Sequence, residues 1–499
     1  MLNTYLGGDG SPSDRLVIDG GTATGTSSLR ITNVGGPGAS TTANGIEVVE
    51  AINGGTTAAG AFALASAVAA GPYEYSLYRG GTDGSSANNW YLRSQLDCSQ
   101  VPGAAACAPT PTPSPTPTPT PTPTPASTPT PASAPTPAPA ATPAPSPSSS
   151  GGSDTTTPSG TGVVTILPPK TVPLYRQEVS LYTAIPSMAL SYGQGLMDSL
   201  HERVGEDEPL QAGSAKNDGS WARVIAQHAS RGGSALGIYG NQGPSYNDDM
   251  FALQGGFDLH RADHDDGSRD FAGVYVAIGQ IAGDVKHFDG TTAGRDQLRG
   301  YTLGGYWTHF GPSGWYLDGV AQGTWYDVKA SSTRMAPLKT DGRGFAGSIE
   351  GGYPVRLGNG WVFVPQAQLV YQEASFNDAS DAASNVYFGN ADSLAGRVGG
   401  EVKRSWTLND DASHPKLVNT WLRLDLWREF MANPSVSFST PTTPVGFQSD
   451  LKGSWIGLRG GFTSQLARNV FVYANIGYDI GVQNHGDGYS GKAGVRINW

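Results

Sequence analysis

His260, Asp263, His264, Asp265 and Asp266 fall within one short run, and imidazoles with carboxylates are a donor set for a divalent cation. The run closes on Gly267, so it also reads as a solvated turn, the usual setting for clustered charges. Gly7-Gly8-Asp9-Gly10 resembles one copy of a calcium-binding nonapeptide, but such sites are built from repeats and no second copy follows. There is no Gly-x-Ser-x-Gly elbow, and no motif places a serine with a histidine and an aspartate. The sequence therefore leads to expect neither catalysis, nor a metal, nor a cofactor.

Cys98 and Cys107 are the only two cysteines and lie close together, which favours a small disulfide loop in an oxidising compartment. Two unreactive thiols are the alternative. The net charge of −11 and pI near 5.2 exclude an ordinary nucleic-acid partner. No apolar run approaches a membrane helix; the longest, residues 61–70, is alanine-rich and short. A β-barrel remains open, because its strands need only about 9–11 residues each. No charged and apolar leader follows Met1, so the N-terminus is expected to be truncated.

The elements that would position these residues fall into four regions. Residues 1–97 hold short apolar runs cut by glycine, such as Leu16-Val17-Ile18 and Trp90-Tyr91-Leu92, which describe either a β-sandwich or a β-solenoid. Residues 98–170 hold the cysteine pair and a Pro/Thr-rich tract, with 17 of the chain's 36 prolines between residues 109 and 147. Such a tract runs as polyproline II and reads as a semi-rigid spacer of roughly 120 Å. Residues 171–212 form a segment that is helix-compatible over 175–205, with Pro186-Ser187 as the expected start and Gly193 and Gly195 as weak points costing about 1 kcal/mol each.

Residues 213–499 carry the strongest pattern. Near the end, Tyr489, Gly491, Ala493, Val495, Ile497 and Trp499 alternate with Ser490, Lys492, Gly494, Arg496 and Asn498. That is a period of two, with one face fit for lipid and the other for water. The same alternation sets Val398 and Val402 against Arg397, Glu401 and Lys403. It also sets Leu422, Leu424 and Leu426 against Arg423, Asp425 and Glu429, and Phe345 and Ile349 against Ser348 and Glu350. Twelve such strands are expected, at 220–228, 247–260, 270–282, 298–310, 314–328, 342–356, 361–374, 393–406, 417–430, 452–466, 469–481 and 488–499. Very short turns (311–313, 357–360, 467–468) tend to alternate with longer polar loops (229–246, 283–297, 329–341, 375–392, 431–451), as in outer-membrane barrels. Trp315, Trp325, Trp361, Tyr371 and Trp499 are placed for interfacial girdles.

Several stretches of this region resemble the autotransporter (type V secretion) β-domain. They are residues 314–318 (Gly-Trp-Tyr-Leu-Asp), 350–354 (Glu-Gly-Gly-Tyr-Pro), 361–369 (Trp-Val-Phe-Val-Pro-Gln-Ala-Gln-Leu), 397–399 (Arg-Val-Gly), 427–430 (Trp-Arg-Glu-Phe) and 496–499 (Arg-Ile-Asn-Trp). Residues 200–205 (Leu-His-Glu-Arg-Val-Gly) resemble the end of that family's plug helix. Residues 16–20, 44–49, 71–78 and 90–94 resemble the end of a pertactin-like passenger.

The resemblance implies an all-β chain: a 12-stranded antiparallel transmembrane β-barrel with an N-terminal plug helix, preceded by a Pro-rich linker and the end of a right-handed parallel β-helix acting as an autochaperone. It implies outer-membrane lipid, the barrel-assembly machinery and periplasmic chaperones as partners, with host surface molecules reached through an adhesin-type passenger exposed at the cell surface. Val495, Ile497 and Trp499 would form the assembly signal. Glu202, Arg203, Arg397, Glu401, Arg423 and Asp425 would face the lumen, the first two pairing the plug to the wall.

Members that cut themselves inside the pore use an Asn-Asn pair, and no asparagine lies between Pro186 and Gly205. The passenger is therefore expected to stay attached or to be cut by another protease, with Asp198 the alternative cleavage residue. Two other functions compete: a passive porin, and a surface enzyme whose catalytic passenger precedes this sequence. A plug helix and a stalk argue against the porin, since a channel needs neither.

Overall fold

The computed structural model describes residues 1–98, 107, 171–197, 199–204, 219–231, 243–407, 417–467, 469–483 and 486–498. The proline tract, Asp198 and Trp499 lie outside them.

In residues 1–98, strands pair in parallel at about one coil's separation: Leu2–Thr4 with Ile31–Asn33, Leu16–Asp19 with Ile46–Ile52, Thr22–Ala23 with Thr56–Thr57, and Ser27–Leu29 with Phe62–Leu64. This is a solenoid, the alternative that alternation alone left undecided. Antiparallel strands Val68–Ala70, Tyr73–Arg79 and Trp90–Arg93 follow it. The interior holds Leu6, Ile46, Val48, Tyr75 and Leu92, each at most 1% exposed. Asp9 accepts backbone hydrogen bonds from Thr42, Ala43 and Gly45, so the glycine-rich turn at residues 7–10 braces the next coil with its one carboxylate.

Twelve long antiparallel strands form the barrel: β1 (Gly219–Arg231), β2 (Ser245–Asp263), β3 (Arg269–Lys286), β4 (Thr292–Phe310), β5 (Tyr316–Ser332), β6 (Leu338–Gly352), β7 (Trp361–Phe376), β8 (Ala391–Thr407), β9 (Leu417–Glu429), β10 (Gly453–Ala467), β11 (Val470–Gln483) and β12 (Asp487–Asn498). β1 pairs with both β2 and β12, so the ring closes. The even count puts both ends of the barrel chain at one rim, here called the turn end; the opposite rim is the loop end.

Parity along the strands sorts side chains as expected. Ile476, Val398, Leu424 and Phe345 face outward at 74%, 59%, 58% and 50% exposed, whereas Asn475, Arg397, Asp425 and Glu350 are buried in the lumen. On β7 the outward band from Trp361 to Tyr371 spans roughly 25 Å once strand rise and tilt are applied.

The structure departs from the sequence expectation in three places. The helix α1 spans Gln177–Met197 and so begins well before Pro186, which lies inside it. Every residue of α1 from Val179 to Gly193 is buried, and packing on all sides outweighs the backbone hydrogen bond that proline removes. The strand expected at 342–356 stops at Gly352, and Val355–Gly358 forms a separate short strand on β7. The loop-end strands are longer than expected, because the alternation inverts above the lipid band. There Ile281, Val285, Leu298, Val328 and Leu338 point inward onto the helix, while Asp284, Lys329 and Lys339 point out.

The spacer expected over the proline tract lies outside the described residues, and the residues flanking it meet as neighbours. Gln95–Asp97 pairs antiparallel with Thr171–Pro173, Leu96 facing Val172. The chain therefore leaves for the proline tract and returns to the same spot, with the Cys98–Cys107 disulfide packed beside Val172. Two barrel loops build a four-stranded sheet (Ala379–Ser380, Asn385–Phe388, Ser435–Phe438, Val445–Gln448) against which Tyr175 and Tyr182 pack.

Candidate functional site

The lumen is threaded by α1 and, beyond it, by the short α2 (Leu200–Val204) at the turn end. Helix and wall approach closely where glycine removes a side chain. A Cβ on Gly300 of β4 would sit 2.5 Å from the Tyr192 ring, whose hydroxyl donates to the Gly300 carbonyl at 3.1 Å. Gly193 presents the same gap toward Gln372 of β7. Gly195 faces Met250 of β2 in the same way, at 2.8 Å, so each of the two glycines that weaken the helix intrinsically lets a wall side chain approach.

At the turn end the plug is held by charge. The Glu202 carboxylate lies 2.8 Å from Arg423 of β9, 3.5 Å from Arg459 of β10 and 3.4 Å from Lys492 of β12. Arg203 forms two hydrogen bonds to Asp318 of β5, at 2.7 and 3.1 Å, with its guanidinium over the Tyr306 ring. Arg223 of β1 donates to the carbonyls of Leu196 and Glu202, at 3.2 and 2.8 Å. These carbonyls belong to helix ends whose own turns leave them without amide partners, and a cation there also suits the helix dipole.

Behind this lock the wall is cross-linked. Arg397 spans Glu350 at 3.2 Å and Asp425 at 3.1 Å, and Asp425 also pairs with Arg423 at 2.9 Å. Glu401 is fully buried and stands opposite Arg423 in strand register. Of the six lumen residues named from sequence, Glu202, Arg397, Arg423 and Asp425 share this network, Glu401 stands beside it, and Arg203 turns instead to Asp318. The partners Asp318, Arg223, Arg459 and Lys492 were not singled out as contacts of the plug, although Lys492 was placed on the water-facing side of its strand; each occupies the lumen parity of its strand, which was the available signal.

At the loop end a second network ties together parts far apart in sequence. Arg176 pairs with Asp381 at 2.6 Å and donates to the Gly71 carbonyl at 2.7 Å. Glu178 meets Arg334 at 3.1 Å, and Arg334 reaches Glu74 of the solenoid segment at 2.8 Å. Ser180 and the His287 ring are 2.5 Å apart, and burial pushes the His287 imidazole down to about 4, partly opposed by Asp289. Sequence reading missed this clamp entirely, because loop residues carry no periodicity to reveal which way they point.

Elsewhere, Val495 and Ile497 lie on the outward face of β12. The run from His260 to Asp266 spreads apart. His264 pairs with Asp270 at 2.7 Å and Asp266 caps Ser268, and among the described residues no group of three His, Cys, Asp or Glu is placed to hold a metal. Beside α1 a cavity of about 120 Å³ remains, lined by Ser191, Gln194, Gln227, Gln368 and Ser490 among others. A closed polar tube filled by its own chain can do one thing chemically simple: conduct or retain a polypeptide along its axis.

Residues 220–477 match the autotransporter β-domain, and residues 1–77 match the type 1 autochaperone domain. The chain is 29% identical over 523 residues to the adhesin BmaC autotransporter of Brucella suis, an alignment covering 100% of this chain and 13% of that protein. It is 25% identical over 529 residues to YdeU of Escherichia coli, covering 100% of this chain and 94% of YdeU. The transport unit of the autotransporter AIDA-I from Escherichia coli superposes with a TM-score of 0.53 at 16% identity, covering 65% of this chain and 100% of that unit, a likeness of fold.

Proposed function

Because this chain belongs to the autotransporter family, whose β-domain it carries over half its length, we propose that its barrel delivers residues 1–97 to the cell surface and then retains them there. The barrel is an outer-membrane translocator; the turn end then faces the periplasm and the loop end the exterior. The observation that carries the reading is the path of the chain. The solenoid segment rests on the loop end, α1 runs down the closed lumen, and β1 starts at the turn end. A chain wired in that order has its N-terminal part on the far side of the membrane from the strand that follows the plug.

The role of Glu202 and Arg203 in this reading is to stop the chain once α2 reaches the turn end. Arg397, Glu401, Arg423 and Asp425 form the wall that receives it. Val495 and Ile497, with Trp499, serve as the signal for the barrel-assembly machinery, and periplasmic chaperones carry the unfolded strands there. The Brucella relative is named an adhesin, which favours an adhesive passenger that meets host surface molecules. Glu202, Asp318, Glu350 and Asp425 are each engaged by arginine, which favours a non-enzymatic barrel.

The test is surface proteolysis of intact cells expressing this chain behind a signal peptide, with the outer membrane probed for each half. Removal of residues 1–97 with survival of a heat-modifiable barrel is expected. Protection of both halves would overturn the reading.

A further inference from the structure

The outward face of the barrel is not uniform around its loop end. On β4, β5 and β6, Arg299, Lys329, Lys339 and Arg343 all point outward and are exposed. On the opposite wall, formed by β10, β11, β12, β1 and β2, the outward loop-end residues include Ile480, Val482, Asp487, Tyr489 and Asp249, and among the described residues there is no lysine or arginine.

Strand register fixes the height of this patch. Tyr301, Trp325 and Arg343 stand side by side in one row across the three strands. Tyr301 and Trp325 are 45% and 58% exposed, and Leu303 and Phe345 lie outward just below. An aromatic pair directly above outward leucine and phenylalanine marks the edge of the hydrocarbon layer. Arg299, Asp327 and Asp341 make the next row, and Gln297, Lys329 and Lys339 the row above that. Rows on one face of a strand are about 6.6 Å apart, so with a strand tilt of about 40° the three rows reach roughly 10 Å outward from the hydrocarbon edge, through the lipid headgroup layer and just beyond it.

Lys329 and Lys339 face each other directly in the antiparallel register. Like charges so placed repel, and the pair would be disfavoured unless an anion sits between them. Among the described residues none of the four cations is within ion-pair distance of a carboxylate, although Asp327 and Asp341 lie one row below. With four cations to three carboxylates, counting Glu373 beside Phe345 on β7, the patch is positive on a chain whose net charge is −11.

We propose that Arg299, Lys329, Lys339 and Arg343 form a binding site for a phosphorylated lipid of the outer leaflet. Phosphate lies between Lys329 and Lys339, Arg343 holds it from the hydrocarbon edge, and the acyl chains run down over Phe345 and Leu303. The barrel thus has one wall that orders anionic lipid and one that does not. The inference rests on the outer-membrane placement above.

The test compares the wild-type chain with the combined variant Arg299→Gln, Lys329→Gln, Lys339→Gln and Arg343→Gln, and with Arg428→Gln, an outward arginine on another strand. Each is extracted from outer membranes, and bis-phosphorylated glycolipid per barrel is measured by mass spectrometry. At least fivefold less lipid on the combined variant, with Arg428→Gln unchanged, is expected. Wild-type protein in nanodiscs is then given the same glycolipid with and without its phosphates. A rise in heat-modification midpoint with the phosphorylated form alone supports the site. Equal retention by wild type and variant, or an equal rise with dephosphorylated lipid, overturns it. The nanodisc arm uses only wild-type protein, so it decides the question even if the variant does not assemble. Absence of a heat-modifiable wild-type band in the outer membrane would instead overturn the translocator reading, and this one with it.

Discussion

Arg423 lies 2.8 Å from Glu202, a residue 221 positions earlier in the chain, and this ion pair joins the threaded segment to the barrel wall. Both side chains are 2% exposed. Buried pairs of this kind add little net stability over apolar packing, but removing one partner strands the other's charge. The pair is therefore better understood as fixing position: it is satisfied when α2 occupies one level in the pore and strained at any other.

Glu202→Gln keeps the shape of the plug and leaves Arg423, Arg459 and Lys492 without their shared anion. A loss of about 3–5 kcal/mol in plug docking follows, together with larger single-channel conductance. A double-mutant cycle with Arg423→Gln, read from planar-bilayer open probability, checks it. Strict additivity of the two changes would show that the pair does not hold the plug.

Arg176→Ala removes the group that joins Gly71, Asp381 and the Tyr182 ring. The expected result is faster hydrogen exchange in residues 71–75 and 171–176, with β9–β12 unaffected. Slow exchange persisting in the first two segments would mean that the apolar contacts of Tyr175 hold the solenoid by themselves.

Gly300→Ala places a methyl group against Tyr192, an overpacking worth about 1–3 kcal/mol. The heat-modification midpoint should fall, and Tyr192→Ala should restore much of it by opening the space. Failure of that rescue would point to a defect in β4 and not in plug seating.

His287 is 4% exposed, and its imidazole titrates near 4 in the folded chain against about 6.5 when unfolded. The unfolded state therefore binds the proton first. Stability from this residue is complete above about pH 7 and declines as pH falls from about 6.5 toward 4, by about 3 kcal/mol at the limit. The midpoint measured at pH 7.5 and 5.0 should drop more for wild type than for His287→Gln. Equal drops would assign the pH dependence to other groups.

Deleting residues 110–167 and joining the ends with a short glycine bridge should leave the solenoid docked, since Asp97 and Thr171 are already paired neighbours. Shortening the closed loop this much favours docking by about 1 kcal/mol. Loss of surface-exposed residues 1–97 in cells carrying the deletion would show that the tract is needed as a spacer.

The barrel was legible because each strand states its two faces: Leu424 and Asp425 cannot exchange places without putting a carboxylate into lipid. That logic found the lumen residues and failed where the environment changes along one strand. Above the lipid band apolar residues turn inward, so β3 runs on to Lys286 although the outward pattern ends earlier. Pro186 misled because its local cost says nothing of the wall that surrounds it. The loop-end clamp was invisible for a different reason. Glu74, Arg176, Arg334 and Asp381 meet only after three separate segments have folded, and no local spacing encodes such a meeting.

The closed pairing of β1 with β12 has a mechanical consequence. A segment inside a hydrogen-bonded ring has no sideways exit, so any pull on the solenoid must be borne along the axis of the tube. The ion pairs of Glu202 and Arg203 are then loaded together in shear, at the end of the rope farthest from the hand, while the ring itself is only stretched. Slippage of the threaded chain is limited by its covalent continuity with β1, so the bonds at the turn end set the force at which the plug shifts and the load passes to the ring.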